Sequence, residues 1–205
     1  IIASNIKYFE NMNIISESVS QSTEVGEMIK RVIEDVFNIF KADRAWLLYP
    51  CDPDSPTFQV PYEHTKPEYP GALESGIDSP VDEGIKQIFE DLLSTDEVIT
   101  YDLSNESFRN SEPVKKFYMQ SQMVIAMHPQ TGSPWVLGLH QCSHERIWTS
   151  EEQKLFKDIS LKIKDALNNL LLFKELFNRE QFLNRIIDQS PFATWISDSA
   201  GSLQR

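Results

Sequence analysis

The sequence predicts an α+β domain in which helices cover a central antiparallel sheet. Short apolar runs that end at turn residues occur in pairs, as antiparallel hairpins require. Segments with apolar residues three and four positions apart, which is the spacing of one helix face, surround and separate these runs. Strands and helices mixed in this order imply an α+β fold.

Two helices open the chain. Residues 2–20 carry apolar side chains at helical spacing and are assigned to an N-terminal linker helix spanning residues 1–20. Residues 24–42 repeat the pattern with a broader apolar face, which predicts a second helix packed on the sheet.

The middle of the chain predicts five strands, two helices and a long loop. Residues 44–49 and 57–64 form a first hairpin across a Pro- and Asp-rich turn, and residues 123–128 and 135–142 form a second one. The other elements, in chain order, are a proline-rich loop at 66–80, a helix at 81–94, a strand at 97–103 and a helix at 112–120.

The last helix, from about Ser150 to Gln189, carries a heptad-like seam that is typical of a coiled coil. The seam residues are Phe156, Ile159, Ile163, Ala166, Leu170, Phe173 and Phe177. The same spacing would also pack the first half of the helix on its own sheet. Beyond Leu170 we expect the helix to pair with a second copy of the chain, so residues 171–189 are assigned to a coiled-coil signalling helix.

Composition excludes several classes of function. The 205 residues carry 19 Lys and Arg against 31 Asp and Glu, and the net charge of −12 disfavours binding to nucleic acid or to an anionic membrane. Two cysteines cannot form a disulfide framework, and no apolar run is long enough to span a bilayer. We therefore expect a cytoplasmic protein without direct membrane contact, and leave open that it is part of a longer membrane-anchored protein.

Two stretches of the chain resemble GAF domains of the phytochrome and cyanobacteriochrome group. They are Ala42–Tyr49 followed by Asp52-Pro53-Asp54, and Trp135–Cys142 followed by Glu145–Trp148. Residues 21–170 are accordingly assigned to a GAF-like sensor domain. The segment from Ile186 to Gly201 is similar to the opening of a PAS domain, so residues 190–205 are assigned to a truncated PAS domain.

The resemblance implies a regulatory module of a sensor histidine kinase, but not a covalent cofactor. Bilin-binding members of the group anchor their chromophore on a cysteine in the helix that corresponds to residues 112–121, and this segment has neither Cys nor His. No cofactor and no metal are therefore expected, and a non-covalent ligand of unknown identity is left open.

The resemblance also implies a ligand cleft between the sheet and the loops over it. Strand residues are expected to form its floor, and a few polar side chains its contacts. The candidate pocket residues are Trp46, Leu48, Tyr69, Tyr101, Arg109, Met123, Ile125, His128 and Leu137.

Catalytic chemistry is a weaker hypothesis. His140, Cys142 and His144 alternate as zinc ligands on a strand would, but no second Cys or His cluster accompanies them. Cys142 as a nucleophile would need a neighbouring base that the sequence does not identify. We therefore predict a ligand-sensing homodimer that acts on neighbouring PAS and kinase domains, and the alternative is a ligand-free dimerisation module.

Overall fold

The computed structural model describes residues 2–22, 24–73, 78–188, 196–197 and 203–204. The helices in these ranges are α1 (Ile2–Ser20), α2 (Val25–Phe40), α3 (Glu83–Leu93), α4 (Glu106–Asn110), α5 (Glu112–Lys116) and α6 (Ser150–Asp188). The strands are β1 (Arg44–Tyr49), β2 (Thr57–Thr65), β3 (Ser79–Pro80), β4 (Ile99–Asp102), β5 (Ser121–Met127), β6 (Trp135–Gln141), β7 (Ile196–Ser197) and β8 (Leu203–Gln204).

Six strands form one antiparallel sheet in the order β3-β2-β1-β6-β5-β4. Both predicted hairpins, β1–β2 and β5–β6, are confirmed, and β6 joins them by pairing with β1. The α+β prediction with a central antiparallel sheet is therefore confirmed. Strands β7 and β8 pair separately, and most of the stretch assigned to a PAS domain lies outside the described residues.

One face of the sheet is covered by α1, α2 and α6, and we call it the proximal face. Alternate residues of β1, β5 and β6 point into this layer, as the two-residue period of a strand requires. They include Ala45 and Leu47 of β1, and they pack against apolar side chains of α2 and α6. This layer contains the larger of the hydrophobic cores.

Helix α1, predicted as a linker, is packed against the domain. Ile15 is fully buried in the proximal core, and the Tyr8 hydroxyl donates a hydrogen bond of 2.6 Å to Asp158 of α6. Lys162 of α6 also donates to the Ser16 hydroxyl. Residues 8 and 16 of α1 thus lie beside residues 158 and 162 of α6, so the two helices run parallel.

Helix α6 divides the predicted seam into two parts. Phe156, Ile159, Ile163 and Ala166 are buried in the proximal core of their own chain, so they are core residues and not seam residues. Leu170 packs at the edge of this core, whereas Phe173 and Phe177 are 68% and 51% exposed. The seam prediction therefore applies only from Leu170 onward.

None of the described helices is long and apolar enough to cross a membrane.

The opposite face of the sheet, the distal face, is covered by α3 and by the segment from Leu103 to Gln120. Trp46, Val124 and Val136 of the strands pack there against Phe89 of α3 in a second, smaller core. A third cluster forms around Phe108, Val114 and Met119 beside it.

Two elements lie in stretches for which the sequence predicted neither a helix nor a strand. Strand β3 pairs with β2 over only two residue pairs, which is too short to show a strand period. Helix α4 has five residues and begins where the Asn105 side chain accepts a hydrogen bond of 2.9 Å from the Phe108 amide. Such a cap holds a single helical turn without any amphipathic pattern.

Candidate functional site at the polar end of the distal face

Strand register brings four polar or aromatic side chains together on the distal face. Arg44 of β1 pairs with His140 of β6, and Trp46 of β1 pairs with both Gly138 of β6 and Glu63 of β2. Residues two apart on a strand share a face. The side chains of Arg44, Trp46, Glu63 and His140 therefore converge, and we call them the Arg44 cluster.

Gly138 makes room for the indole ring of Trp46. A Cβ atom at position 138 would lie 2.1 Å from Cζ2 of Trp46, well inside the contact distance of two carbons. With no side chain there, the indole lies across β6, and its Nε1–H donates a hydrogen bond of 2.9 Å to Nε2 of His140.

Arg44 ties the strands to the loop above them. Its Nη2 donates hydrogen bonds of 2.8 Å to the carbonyls of both Tyr69 and Pro70, and its Nη1 lies 3.0 Å from Nδ1 of His140. The guanidinium also lies 5.4 Å from the ring centre of Phe117. The side chain is 1% exposed, so this cation is held entirely by protein groups.

Glu63 supplies the counter-charge and holds the next part of the loop. Its carboxylate lies 3.5 Å from Nε of Arg44 and accepts hydrogen bonds from the amides of Ala72 (3.2 Å) and Leu73 (3.0 Å). A Cβ atom on Gly71 would lie about 2 Å from this carboxylate. A side chain at position 71 would therefore push the Glu63 carboxylate out of its present place.

His140 is neutral and has donors on both sides. Burial, and then the nearby charge of Arg44, lower the pKa of His140 well below its ordinary value of 6.5. A neutral imidazole carries one N–H and one acceptor nitrogen. Because Arg44 and Trp46 both present N–H groups to the ring, His140 can accept from only one of them.

Asp43, immediately before the Arg44 cluster, clamps β1 to the end of β6. Its Oδ2 accepts from the Cys142 amide (2.8 Å), the Gln141 side chain (2.6 Å), and the amide and hydroxyl of Ser143 (both 2.7 Å). Oδ1 pairs with Lys66 at 2.5 Å. Burial alone would raise the pKa of Asp43, but the hydrogen bonds from Lys66 and Ser143 outweigh burial and lower the pKa to about 2.

The predicted pocket residues are divided between the two sheet faces. Trp46, Leu48 and Tyr101 lie on the distal face. Met123, Ile125 and Leu137, predicted for the same floor, point to the proximal face and are buried in the helical core. They cannot line one cleft with Trp46, because the sheet itself separates them.

The three remaining predicted residues lie at the edges. Tyr69 covers Arg44 through its backbone carbonyl. Arg109 is exposed on α4, and its guanidinium donates a hydrogen bond of 3.4 Å to the Leu103 carbonyl. His128 is exposed just past the end of β5. This end of the strand is the one farther from the Arg44 cluster.

Sequence reasoning did not select Asp43, Arg44 or Glu63, and it considered His140 only as a zinc ligand. One signal pointed to them, because Asp43 and Arg44 are adjacent charges at the start of a strand that is otherwise apolar. Charged side chains are rarely buried without partners. The charges of Asp43 and Arg44 beside a buried strand therefore indicate a polar network, whose other members come from distant segments of the chain.

The two cysteines are poorly suited to covalent chemistry. Burial raises the pKa of Cys51 to about 12 and that of Cys142 to about 11. The reactive form of cysteine is the thiolate, which is scarce at such values near neutral pH. Among the described residues, no group of three or more His, Cys, Asp or Glu side chains is placed to hold a metal ion.

Two cavities lie away from the Arg44 cluster. One of about 310 Å³ separates α6 from the β5–β6 turn and has Tyr49, Trp135 and Lys174 in its walls. The other, of about 270 Å³, lies beside the first turns of α6 between Val98 and Lys157. Neither contains a side chain of the predicted pocket.

Comparison with solved structures assigns the fold. The phycoerythrobilin-bound GAF domain of a cyanobacterial phytochrome matches with a TM-score of 0.70 at 18% identity, covering 83% of this chain and 99% of that domain. The phycocyanobilin-bound GAF domain of a cyanobacterial phytochrome gives a TM-score of 0.67 at 18% identity, covering 80% of this chain and 96% of that one.

A third match is the GAF domain of PixJ from Thermosynechococcus elongatus in its blue-light absorbing form. Its TM-score is 0.61 at 15% identity, and the match covers 76% of this chain and 91% of that domain. No protein-family sequence model and no curated protein sequence matches the chain. At these identities the likeness establishes the fold alone, so the chain has a GAF-like fold, as the sequence predicts.

Proposed function

We propose that the chain is a regulatory sensor module of a signalling protein. In this proposal a small ligand binds on the distal face, and α6 carries the resulting change to the next domain as one helix of a parallel homodimer. A ligand acts in this way by favouring one of two packings of the protein.

The continuity of α6 is the observation that carries the proposal. Its first half is part of the proximal core, and the same helix continues from residue 171 to 188, about 27 Å at 1.5 Å per residue. This second half bears large exposed apolar side chains, namely Leu172, Phe173, Leu176, Phe177, Phe182, Leu183 and Ile186. The helix thus leaves the domain core and exposes apolar side chains along its second half. Such a helix is suited both to dimerisation and to signal transfer.

The proposed setting follows from the resemblance and from the order of segments. We infer a cytoplasmic sensor histidine kinase in which a PAS domain begins near residue 190 and the kinase lies further along. The net charge of −12 supports a protein partner over nucleic acid.

A non-covalent ligand fits the chain better than a thioether-linked one. The two phytochrome GAF domains compared above are bound to the bilins phycoerythrobilin and phycocyanobilin. Here both cysteines are buried and have raised pKa values, and α5 with its flanks has neither Cys nor His. We propose that any chromophore or other ligand is held without a covalent bond.

The alternative function is a ligand-free dimerisation module. Close packing on the distal face favours it, since Trp46 and Phe89 are buried and the Phe58 and Phe89 rings meet edge to face at 5.5 Å. In that case the space that a ligand would take in a sensor is filled by the chain's own aromatic residues.

The dimer is tested by placing negative charges on the exposed apolar surface of the second half of α6. Phe173→Glu combined with Phe177→Glu is expected to raise the dimer dissociation constant by about 100-fold, because an apolar seam would have to bury four unpaired carboxylates. Multi-angle light scattering over a concentration series measures this change. Both residues are exposed in the single chain, so the fold is retained, as circular dichroism would show.

Ile147→Glu is the matched control, because Ile147 is 84% exposed but lies outside α6. It is expected to leave the dimer intact. A double variant that stays dimeric at the wild-type concentration would contradict pairing through α6.

A further inference from the structure

The Arg44 cluster holds more hydrogen-bond donors than acceptors. Within the described part of the chain, the Nε–H of Arg44 has no hydrogen-bond acceptor, although the side chain is almost wholly buried. A second unmatched donor follows from His140, since either the Arg44 Nη1–H or the Trp46 Nε1–H must face an N–H of the ring. Buried polar groups are nearly always paired, so this end of the distal face is suited to an additional acceptor.

Glu63 forms an ion pair with Arg44, but its carboxylate is already bonded to the loop. Its side chain is 3% exposed, and its carboxylate oxygens accept from the amides of Ala72 and Leu73. The distance of 3.5 Å to Nε of Arg44 is an ion pair without hydrogen-bond geometry. Glu63 thus neutralises the charge of Arg44 and leaves the donor edge of the guanidinium unsatisfied.

We propose that the polar end of the distal face is a closed binding site for the carboxylate of a small ligand, with Glu63 as its internal competitor. The ligand carboxylate would accept from Nε–H and Nη–H of Arg44 and displace Glu63 together with residues 69–73 of the loop. This inference rests on the proposed sensor function and adds the chemical class of the ligand and the segment that responds to it.

The shape of the donor set favours a carboxylate. A guanidinium presents two parallel N–H groups that match the two oxygens of a carboxylate in one plane. When residues 69–73 move, the Tyr69 and Pro70 carbonyls release Nη2, which together with Nε–H can then donate to the two carboxylate oxygens, while Nη1 stays beside His140. Displacing Glu63 would also free the amide of Leu73 from its carboxylate acceptor, so binding at Arg44 is coupled directly to the position of the loop.

The test removes the internal competitor and supplies a free carboxylate. In the full chain, Glu63→Ala leaves Arg44 without its counter-charge. Acetate at ten times its dissociation constant is expected to raise the melting temperature of this variant by about 4 °C. Wild type should need at least about tenfold more acetate for the same shift, because Glu63 competes. Acetamide, which has the same shape without the charge, is the control probe, and phosphate is tested in parallel.

Arg44→Met combined with Glu63→Ala should abolish the acetate response. The proposal is overturned if acetate and acetamide act alike on Glu63→Ala, if the response survives the Arg44 change, or if phosphate acts and acetate does not.

A second measurement covers the case in which Glu63→Ala does not fold. This measurement is the NMR signal of the Trp46 indole N–H in wild type, which is assigned by comparison with Trp46→Phe. The signal should shift when acetate is added and should not shift with acetamide. An unchanged signal would overturn the proposal. The light-scattering measurement on α6 is made without acetate and tests the dimer separately. A failure of the carboxylate site is therefore distinguishable from a failure of the sensor proposal.

Discussion

Asp43→Asn is expected to lower the free energy of unfolding by about 3 kcal/mol, measured by urea denaturation at neutral pH. Asp43 is fully buried and accepts four hydrogen bonds on Oδ2, while Lys66 pairs with Oδ1. Asparagine keeps one acceptor oxygen but turns an N–H₂ group toward the Lys66 ammonium. The loss combines a missing charge-assisted network with buried donors that lack a full acceptor.

The cost of this substitution should depend on pH in a defined direction. The folded pKa of Asp43, about 2, lies below its ordinary value of 3.8. The stabilisation by the ionised carboxylate is therefore complete above about pH 5 and is lost as the pH falls toward 2. The difference between the two pKa values corresponds to about 2.5 kcal/mol of unfolding free energy, which is the part of the Asp43 contribution that depends on pH.

Asp54→Asn is the control for this pH dependence, because the Asp54 side chain is almost fully exposed. It should change the free energy of unfolding by less than about 0.5 kcal/mol at any pH. A cost for Asp43→Asn that is equally small, or that does not shrink in acid, would contradict the clamp assigned to Asp43.

Gly138→Ala is expected to cost a similar amount, about 3 kcal/mol. The new Cβ would overlap the Trp46 ring at 2.1 Å, and moving the ring would break its hydrogen bond to His140. Overpacking of this kind typically costs 1–3 kcal/mol, and the lost bond adds to it. Urea denaturation measures the change.

Gly84→Ala is the matched control, since its Cβ would meet only the Asp82 carboxylate at 3.4 Å. It should be neutral or slightly stabilising, because alanine favours the helix at that position. Adding Trp46→Leu to Gly138→Ala should cost less than the sum of the two single changes, since the smaller side chain relieves the overlap. Strict additivity would contradict the contact between Trp46 and Gly138.

Local patterns predicted the elements but not how their faces combine. Alternation shows that Trp46 and Leu48 share a face, and that Met123 and Ile125 share a face. It does not show that these are opposite faces of the sheet. That depends on the pairing of β1 with β6 and of β6 with β5, which is a long-range property.

The spacing in α6 was ambiguous for a related reason. Apolar residues three and four apart serve a core of the same chain and a partner helix equally well. The buried Ile163 and the exposed Phe177 differ only in whether the sheet and α2 extend that far. How far the sheet and α2 extend along α6 depends on the size of the domain, which a short stretch of sequence does not specify.

The Arg44 cluster was missed because its members are far apart in the chain. Glu63, Tyr69 and His140 lie 19, 25 and 96 residues beyond Arg44 and meet it only through the sheet and the loop. Buried charge networks leave no periodic signal. Only the adjacent charges Asp43 and Arg44 at the start of β1 indicate one.

Native mass spectrometry of the full 23.7 kDa chain, purified without refolding, tests the sensor proposal most directly. The proposal predicts the mass of a dimer that carries a small molecule, which gentle activation removes, and a bare chain mass after denaturation. A bare dimer would contradict ligand sensing and support the dimerisation module, and a bare monomer would contradict both.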